Sequence, residues 1–221
     1  FEVTGYLPHY RAQSLESVAW RKLTRVIYFS ASPQADGSMD SSHIKPHMLK
    51  HAKKQKNKID LCVGGWRKSE HFPAVASDPQ KRERFVRNLT AYLRKHRLDG
   101  ADIDWEHPKS KSEIESFQKL ILELKTAFRP HDFELTVTVA DWGKYLNPET
   151  IPFVDRIQVM AYDQGTPHAS YEKAILSMNR WLKQGVPPSK LILGLPLYGR
   201  NKEGVARSYA QIVDAFAPPP S

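Results

Sequence analysis

The sequence LDGADIDWEHP, residues 98–108, alternates apolar and acidic side chains in a pattern that indicates a buried strand ending in carboxylates. Side chains at positions i, i+2 and i+4 of a strand share one face, so Asp102, Asp104 and Glu106 should point the same way. Carboxylates this close cannot all stay ionised, and the pKa of at least one should rise. Such an acid stays protonated for general acid catalysis near neutral pH. The alternative is the polar outer face of an edge strand, which three acids with so few neighbouring cations disfavour.

The spacing of these acids also resembles a family signature. Asp99-x-x-Asp102-x-Asp104-x-Glu106 matches the DxxDxDxE pattern of the family 18 glycoside hydrolases, the chitinase family, at every fixed position. Other segments resemble that family in the same order: Cys62-Val-Gly-Gly-Trp66, with Cys62 where Ser is usual, Gln158-x-Met160-x-Tyr162-Asp163, and Leu195-Pro-Leu-Tyr198-Gly-Arg200. The resemblance covers essentially the whole chain.

Length and composition predict one domain. The 221 residues, 40% of them hydrophobic, suffice for one sizeable core, and we interpret residues 1–221 as a single catalytic barrel domain, C-terminally incomplete and with no visible insertion domain. No apolar run approaches the 18 residues of a transmembrane helix. The chain carries no signal peptide pattern, and we expect a secreted or periplasmic protein. A lone cysteine, Cys62, excludes an internal disulfide.

The net charge of +9 has two interpretations. Basic residues cluster in residues 50–58, 81–87 and 94–97, which suits attraction to anionic surfaces or nucleic acid. Their helical spacing, interleaved with apolar residues, instead favours the solvated faces of two helices. We therefore expect neither a nucleic-acid nor a membrane partner. Chitin is uncharged, so the family resemblance leaves the net charge unexplained.

Seven strand-like segments alternate with helical ones, which predicts an α/β protein with a parallel sheet covered on both faces. Periodicity alone allows a doubly wound sheet or a barrel. Polar residues follow several strands in series rather than one switch point, which favours a barrel. The resemblance implies a (β/α)8 TIM barrel with seven strands visible and the eighth missing from this chain. The predicted strands are residues 3–7, 25–30, 59–63, the acidic strand, 134–140, 156–162 and 190–195.

Two helix starts are also visible in the sequence. Asp78-Pro79 predicts an N-cap followed by proline at the first helical position. Ser112-x-x-Glu115 predicts a capping box at the start of the helix that follows the acidic strand.

The resemblance implies a retaining, substrate-assisted cleavage of β-1,4-linked N-acetylglucosamine polymers, with endo-type action suspected. Glu106 would be the general acid and later the base. Asp104 would orient the acetamido group, Asp102 would tune Asp104 by sharing a proton, and Tyr162 would donate a hydrogen bond to the acetamido oxygen. Asp163 would help to hold the sugar. Asp99 more simply supports the strand's backbone.

The remaining substrate-binding candidates lie on strands or directly after them. Met160 could also simply pack in the core, and Arg200 could be an ordinary surface cation. We interpret Cys62 as a packing residue rather than a nucleophile, since no cationic or histidine partner is near it in sequence. The nine histidines lack metal-ligand spacing such as HExxH, so we expect no metal and no cofactor. The candidates are Gln158, Met160, Tyr198, Arg200, Trp66, Trp142, Tyr6 and Phe29.

Several functional alternatives stay open at this point. A peptidoglycan or N-glycan N-acetylglucosaminidase of the same family would share the motif. A non-catalytic chitinase-like lectin would bind sugar without cutting it, but such proteins typically lose the acid that Glu106 supplies. A nucleic-acid binder rests on charge alone. The sequence does not specify the oligomeric state.

Overall fold

The structure is a computed structural model that describes residues 1–216, with the backbone alone over residues 11–14. The predicted domain, residues 1–221, therefore ends outside the described residues. The centre is a sheet of eight strands, seven of which run parallel in the spatial order of the chain. These seven are β1 (Thr4–Pro8), β2 (Arg25–Pro33), β4 (Lys58–Gly64), β5 (Gly100–Asp104), β6 (Glu134–Ala140), β7 (Arg156–Met160) and β8 (Leu191–Gly194); β3 (Met39–Asp40) pairs antiparallel with β2.

Helices connect the parallel strands. The α-helices are α1 (Pro46–Lys54), α2 (Phe72–Ser77), α3 (Pro79–His96), α4 (Lys111–Phe128), α5 (Tyr171–Lys183) and α6 (Tyr209–Phe216). Short 3-10 helices span His9–Ser17, Trp20–Lys22, Arg129–His131, Ile151–Phe153 and Pro188–Lys190. A hairpin of β9 (Tyr198–Arg200) and β10 (Ala206–Ser208) precedes α6. Across residues 1–216, a helix with the length and apolarity needed to cross a membrane is absent.

The acidic strand β5 shows the predicted alternation. Ala101 and Ile103 are buried in the hydrophobic core, and Trp105 directly after the strand stacks on Phe72 of α2 at 5.3 Å between ring centroids. Phe117 of α4 meets the same indole edge-on. The apolar side chains thus anchor β5 to the helical layer. The carboxylates between them face the interior of the curled sheet, where Asp102 meets side chains of β1 and β6.

The seven predicted parallel strands are all present, and the barrel stays open within the described residues. There β1 pairs with β2 alone, and β8 pairs with β7 alone. The chain near β8 exposes apolar side chains, with Leu193, Leu195 and Leu197 at 39%, 68% and 82% of their accessible surface. The sheet therefore ends in two unpaired edges, one of them apolar.

One predicted helix cap is confirmed and the other is wrong. The Asp78 carboxylate accepts hydrogen bonds from the backbone of Gln80 and Lys81, at 2.9 and 3.2 Å, and starts α3. The capping box of α4 lies two residues before the predicted Ser112 and Glu115. There Ser110 Oγ accepts from the Glu113 backbone at 3.1 Å, and the Glu113 carboxylate accepts from the Ser110 backbone at 3.2 Å.

A network of charged side chains fills the sheet interior at the amino ends of the strands. Arg25 at the start of β2 is 1% exposed and holds the fully buried Asp60 of β4 with two hydrogen bonds of 2.5 and 2.6 Å. Arg25 also pairs with Glu134, at the start of β6, and with Glu2. Arg156 at the start of β7 pairs with the same Glu2 and Glu134. The network therefore links four strands and the residue before β1 across the interior.

Candidate active site

The candidate active site lies at the carboxyl ends of the parallel strands. Asp102 and Asp104 of β5 are 0% and 3% exposed, and Glu106 is half-buried just beyond the strand end. Strands β4, β5, β6 and β7 lie side by side in that order and run parallel. The segments that follow them therefore meet at one end of the sheet. The predicted row of three acids is thus a row of increasing exposure that runs out toward the cleft.

Asp102 is fully buried and its carboxylate is well supplied with hydrogen-bond donors. Its carboxylate accepts hydrogen bonds from the Tyr6 hydroxyl at 2.9 Å and from Thr138 Oγ1 at 2.9 and 3.0 Å. Burial raises the pKa of Asp102 to about 6, and the donors Thr138, Tyr6 and the Cys62 thiol hold it from rising further. These donors favour the ionised form of this carboxyl.

Asp104 sits in the opposite environment. Within residues 1–216, its Oδ1 atom is buried and has no hydrogen-bond partner. Burial raises the pKa of Asp104 well above its usual range, and the charges of Asp102 and Glu106 raise it further. The two environments differ in the direction that favours the proton on Asp104 when the pair shares one. The unpartnered oxygen can accept a hydrogen bond from a polar group of a ligand. When the carboxyl is protonated, it can donate one instead.

The segment after β4 fixes the end of the acidic strand. The Gly65 backbone N–H donates to the Asp104 carbonyl at 2.7 Å, and the Ser69 hydroxyl contacts the same carbonyl at 3.0 Å while accepting from the Glu106 backbone at 3.1 Å. Gly65 has φ of +90°, and a Cβ there would lie 2.4 Å from the Phe29 ring and 3.2 Å from Asp104 Oδ2. Glycine is required here because φ is positive and because the Phe29 ring leaves no room for a Cβ atom.

Cys62 occupies the position where the family pattern has serine. Its side chain is fully buried beside Asp102, and burial together with the charges of Asp102 and Asp104 raises the pKa of the thiol well above its usual range. A thiolate nucleophile needs a lowered pKa, so this environment agrees with the packing interpretation.

Glu106 lies at the open end of the row of acids. Partial burial raises the pKa of its carboxyl, and the negative charge of Asp163 raises it further. The Glu106 backbone N–H donates to Ser69 Oγ at 3.1 Å, and the side chain is the most exposed of the three acids in the row. A raised pKa keeps the protonated, acid-competent form populated closer to neutral pH.

Asp163 is the centre of a second polar group that follows β7. The carboxylate accepts from Tyr198 at 2.6 Å, from Arg200 at 2.7 and 3.1 Å, and lies 3.1 Å from His168 Nδ1. These contacts, that of Arg200 above all, lower the pKa of Asp163 to about 2. The ring of Tyr162 lies edge-on to Tyr198 at 6.2 Å. The structure thus brings the predicted Tyr162, Asp163, Tyr198 and Arg200 together.

The predicted aromatic candidates divide by exposure. Trp66 and Trp142 follow β4 and β6 and are 72% and 57% exposed at the rim of the site, where His107 packs edge-on against Trp142 at 5.0 Å. Tyr6 is 39% exposed and Phe29 is half-buried, and their rings lie edge-on at 6.3 Å. Gln158 is buried and Met160 is half-buried on β7, as predicted for inward-facing residues. Their roles stay predictions.

Three residues that position the site are absent from our sequence candidates. Thr138 could have been found, because it alternates with the apolar residues of β6 and so faces inward like the acids of β5. Ser69 and His168 lie in loops without a periodic pattern, and only the fold brings them to Glu106 and Asp163. In the described part of the chain, no group of three or more His, Cys, Asp or Glu side chains could hold a metal ion.

The sequence is similar to known proteins over nearly its whole length. Residues 2–217 match the model of the family described as glycosyl hydrolases family 18. A probable chitinase 10 of Drosophila melanogaster is 30% identical over 177 residues, covering 65% of this chain and 8% of that protein's length. The match therefore involves one part of a much longer protein.

Solved structures resemble the fold closely. A chitinase from Bacteroides thetaiotaomicron superposes with a TM-score of 0.89 at 24% identity over 97% of this chain and 76% of that chain. A GH18 chitinase from Cycas revoluta in complex with (GlcNAc)3 gives 0.83 at 22% identity, covering 97% and 79%. The predicted α/β barrel class is confirmed, and the chain is shorter than its structural neighbours.

Proposed function

Because this chain belongs to glycosyl hydrolases family 18, we propose that it hydrolyses β-1,4-linked N-acetylglucosamine polymers or oligosaccharides, with Glu106 as the general acid and base. The observation that carries the proposal is the row of acids on β5. Asp102 is buried and hydrogen-bonded, Asp104 is buried with an unpartnered oxygen and a strongly raised pKa, and Glu106 is half-buried with a raised pKa at the mouth of the site. This gradient provides one protonated carboxyl next to the position of a glycosidic oxygen.

The first chemical step needs a proton for the leaving group. Glu106 would donate it to the glycosidic oxygen as the bond from the anomeric carbon breaks. The oxygen of the substrate's own 2-acetamido group would form the new bond to that carbon, giving an oxazolinium ion. This substrate-assisted route requires no second carboxylate as a nucleophile.

Asp104 and Tyr162 would hold the acetamido group during that step. Asp104 has the buried, unpartnered Oδ1 that can accept a hydrogen bond from the acetamido N–H once its proton passes toward Asp102. The resulting negative charge would balance the positive oxazolinium ion. The Tyr162 hydroxyl would donate to the acetamido oxygen. In the second step Glu106 would accept a proton from water as that water attacks the anomeric carbon, so the configuration is retained.

The shape of the site supports cleavage within a chain of sugars. Trp66 and Trp142 are exposed on either side of the acid row and offer flat apolar faces to pyranose rings. Residues 201–208 join Arg200 to α6 through β10 alone, so no inserted domain deepens the groove there. An open cleft of this kind suits an endo-acting enzyme.

The test is hydrolysis of a fluorogenic chitobiose glycoside by the wild type and by Glu106→Gln. We expect the substitution to lower turnover by about 10²–10⁴-fold, the usual contribution of a general acid, with oligosaccharide binding retained. Near-wild-type turnover in the variant would overturn the assignment of Glu106. Binding of N-acetylglucosamine oligomers without turnover in either protein would identify a lectin instead, and activity on peptidoglycan or an N-glycan alone would change the substrate.

A further inference from the structure

A pocket of about 600 Å³ lies between α1 and α3, at the opposite end of the sheet from the acids. Both helices run antiparallel to the strands they precede, so their carboxyl ends lie beside the amino ends of β4 and β5. The charged side chains that line the pocket are all basic. They are Lys50, Lys53, Lys54, Lys95, His96 and Arg97, with Pro46 and Leu49 between them.

The cations of the pocket lack the carboxylate partners that three arginines in the first half of α3 have. Arg82, Arg84 and Arg87 pair with Glu123, Asp36 and Glu83 respectively. Within residues 1–216, no ion pair joins any cation of the pocket to a carboxylate. Lys53 instead donates to the His96 carbonyl, which keeps the two helix ends together. The charge of Asp99 offsets part of that of Lys53, and the remaining positive charge of the pocket has no carboxylate partner within the described residues.

The helix dipole accounts for only part of this cluster. Cations in the last turn of a helix interact favourably with its carboxyl end, which suits Lys53, Lys54 and Lys95. Lys50 lies in the middle of α1, and Arg97 follows α3 with a left-handed backbone at φ of 51°. These cations lie on one concave surface and repel one another. A bound anion would remove that repulsion.

The residues that line the pocket also limit which kinds of anion could bind there. Single-stranded nucleic acids are held by aromatic side chains that stack on bases, and this lining has no Phe, Tyr or Trp. A lipid surface would need protruding apolar side chains, whereas Leu49 is 3% exposed. A double helix presents its phosphates on a convex surface wider than such a pocket. Several closely spaced anionic groups on a flexible chain fit best.

We propose that the pocket between α1 and α3 binds a glycan that carries sulfate or phosphate esters. Lysine and arginine side chains would each donate charged hydrogen bonds to the ester oxygens. The site would be separate from the acid row, so such a glycan would be a second ligand and not a substrate. The proposal gives the net charge of +9 a function, and it stands whether or not the proposed hydrolysis is correct.

The experiment measures binding of a sulfated heparin-type oligosaccharide by calorimetry at physiological salt, with the whole chain. The pocket variant replaces three exposed, unpaired cations: Lys50→Gln, Lys54→Gln and Lys95→Gln. The control removes the same charge elsewhere: Arg84→Gln, Arg87→Gln and Lys119→Gln. We expect the pocket variant to bind at least about tenfold more weakly, since three charged hydrogen bonds are lost, and the control to change affinity by less than about twofold.

Other results would overturn the proposal. Equal weakening in both variants would show that net charge alone attracts the oligosaccharide, and no binding by the wild type would remove the site. Tighter binding of duplex DNA, lost in the pocket variant, would assign the site to nucleic-acid phosphates. The NMR titration of His96 gives an independent readout. Burial and the neighbouring Lys95 and Lys53 lower its pKa, and a bound sulfate would raise it.

Discussion

The Tyr6 hydroxyl donates a hydrogen bond of 2.9 Å to Asp102 across the interior of the sheet. Tyr6 belongs to the edge strand β1, and Asp102 lies three places away along the sheet on β5. The bond exists only because the sheet curls back on itself. It joins the edge of the open barrel to the acid whose charge state sets that of Asp104.

Replacing this tyrosine should change the titration of the acid pair. In Tyr6→Phe the ionised form of Asp102 loses a donor, so its pKa should rise above the wild-type value of about 6. A hydrogen bond to a charged group contributes about 1.5–3 kcal/mol, which corresponds to a rise of about one to two pH units. The acidic limb of the kcat/KM profile should move to higher pH by that amount, because the pair acts with one proton.

Tyr28→Phe is the matched control for that variant. Its hydroxyl is buried on the neighbouring strand β2 and, in the described part of the chain, has no hydrogen-bond partner. Removing it should leave the acidic limb where it is. A Tyr6→Phe profile that coincides with that of Tyr28→Phe would show that the bond does not tune the acids.

The alkaline limb should respond to Asp163. Its negative charge raises the pKa of Glu106, so Asp163→Asn should lower that pKa and make Glu106 lose its proton at lower pH. Because the acid must be protonated to act, activity should be lost at lower pH in the variant. The measurement is kcat/KM against pH on the fluorogenic glycoside.

Arg200→Gln separates charge from lost structure in that experiment. It disrupts the same cluster, in which Arg200 donates to Asp163 at 2.7 and 3.1 Å, but leaves the Asp163 carboxylate in place. Loss of a neighbouring cation cannot stabilise ionised Glu106, so the alkaline limb should not move down. If the alkaline limb moved to lower pH in both variants, the cause would be disorder of the polar cluster around Asp163 and not the lost negative charge.

The charged network at the amino ends of the strands should dominate a stability measurement. Arg25→Met leaves the buried Asp60 without its cation and Glu134 with fewer partners. Breaking a buried ion pair from one side lowers the free energy of unfolding by about 3–5 kcal/mol. Arg84→Met breaks an exposed pair with Asp36 and should lower the free energy of unfolding far less, because solvent screens that pair. Urea unfolding of both variants compares them, and equal losses would contradict a structural role for the network.

Local patterns predicted the parts of the structure in which near neighbours in sequence decide the geometry. The alternation of Asp102 and Asp104 with Ala101 and Ile103 follows from the period of a strand, and the structure has that alternation. The seven parallel strands were visible because each is a short segment that is either mostly apolar or alternates apolar with polar residues. The Asp78 cap was visible because its partners lie two and three residues away.

The misplaced capping box shows where such patterns become degenerate. Both Ser110 and Ser112 precede a glutamate by three residues, so the sequence offers two equivalent starts for α4. The structure uses Ser110, whose partner Glu113 also accepts from the Lys109 backbone at 2.6 Å. The path of the chain from β5 selects between the two, and this path is a property of the whole fold.

Long-range ion pairs were beyond the reach of the sequence. Arg25 and Asp60 are separated by 35 residues and Arg156 and Glu2 by 154. Each of these charges, taken alone at a strand start, resembles an ordinary solvated residue. Their pairing depends on how many strands stand between them and how tightly the sheet curls.

The position of Glu2 between two arginines affects which substitutions this protein can accept during evolution. Its carboxylate touches both Arg25 and Arg156, so a substitution at any of the three leaves two charges mismatched. Such mutations should survive mainly when a second, compensating mutation occurs in the same lineage. Among homologues, positions 2, 25, 60, 134 and 156 should therefore covary, even where the residues of the catalytic end stay constant.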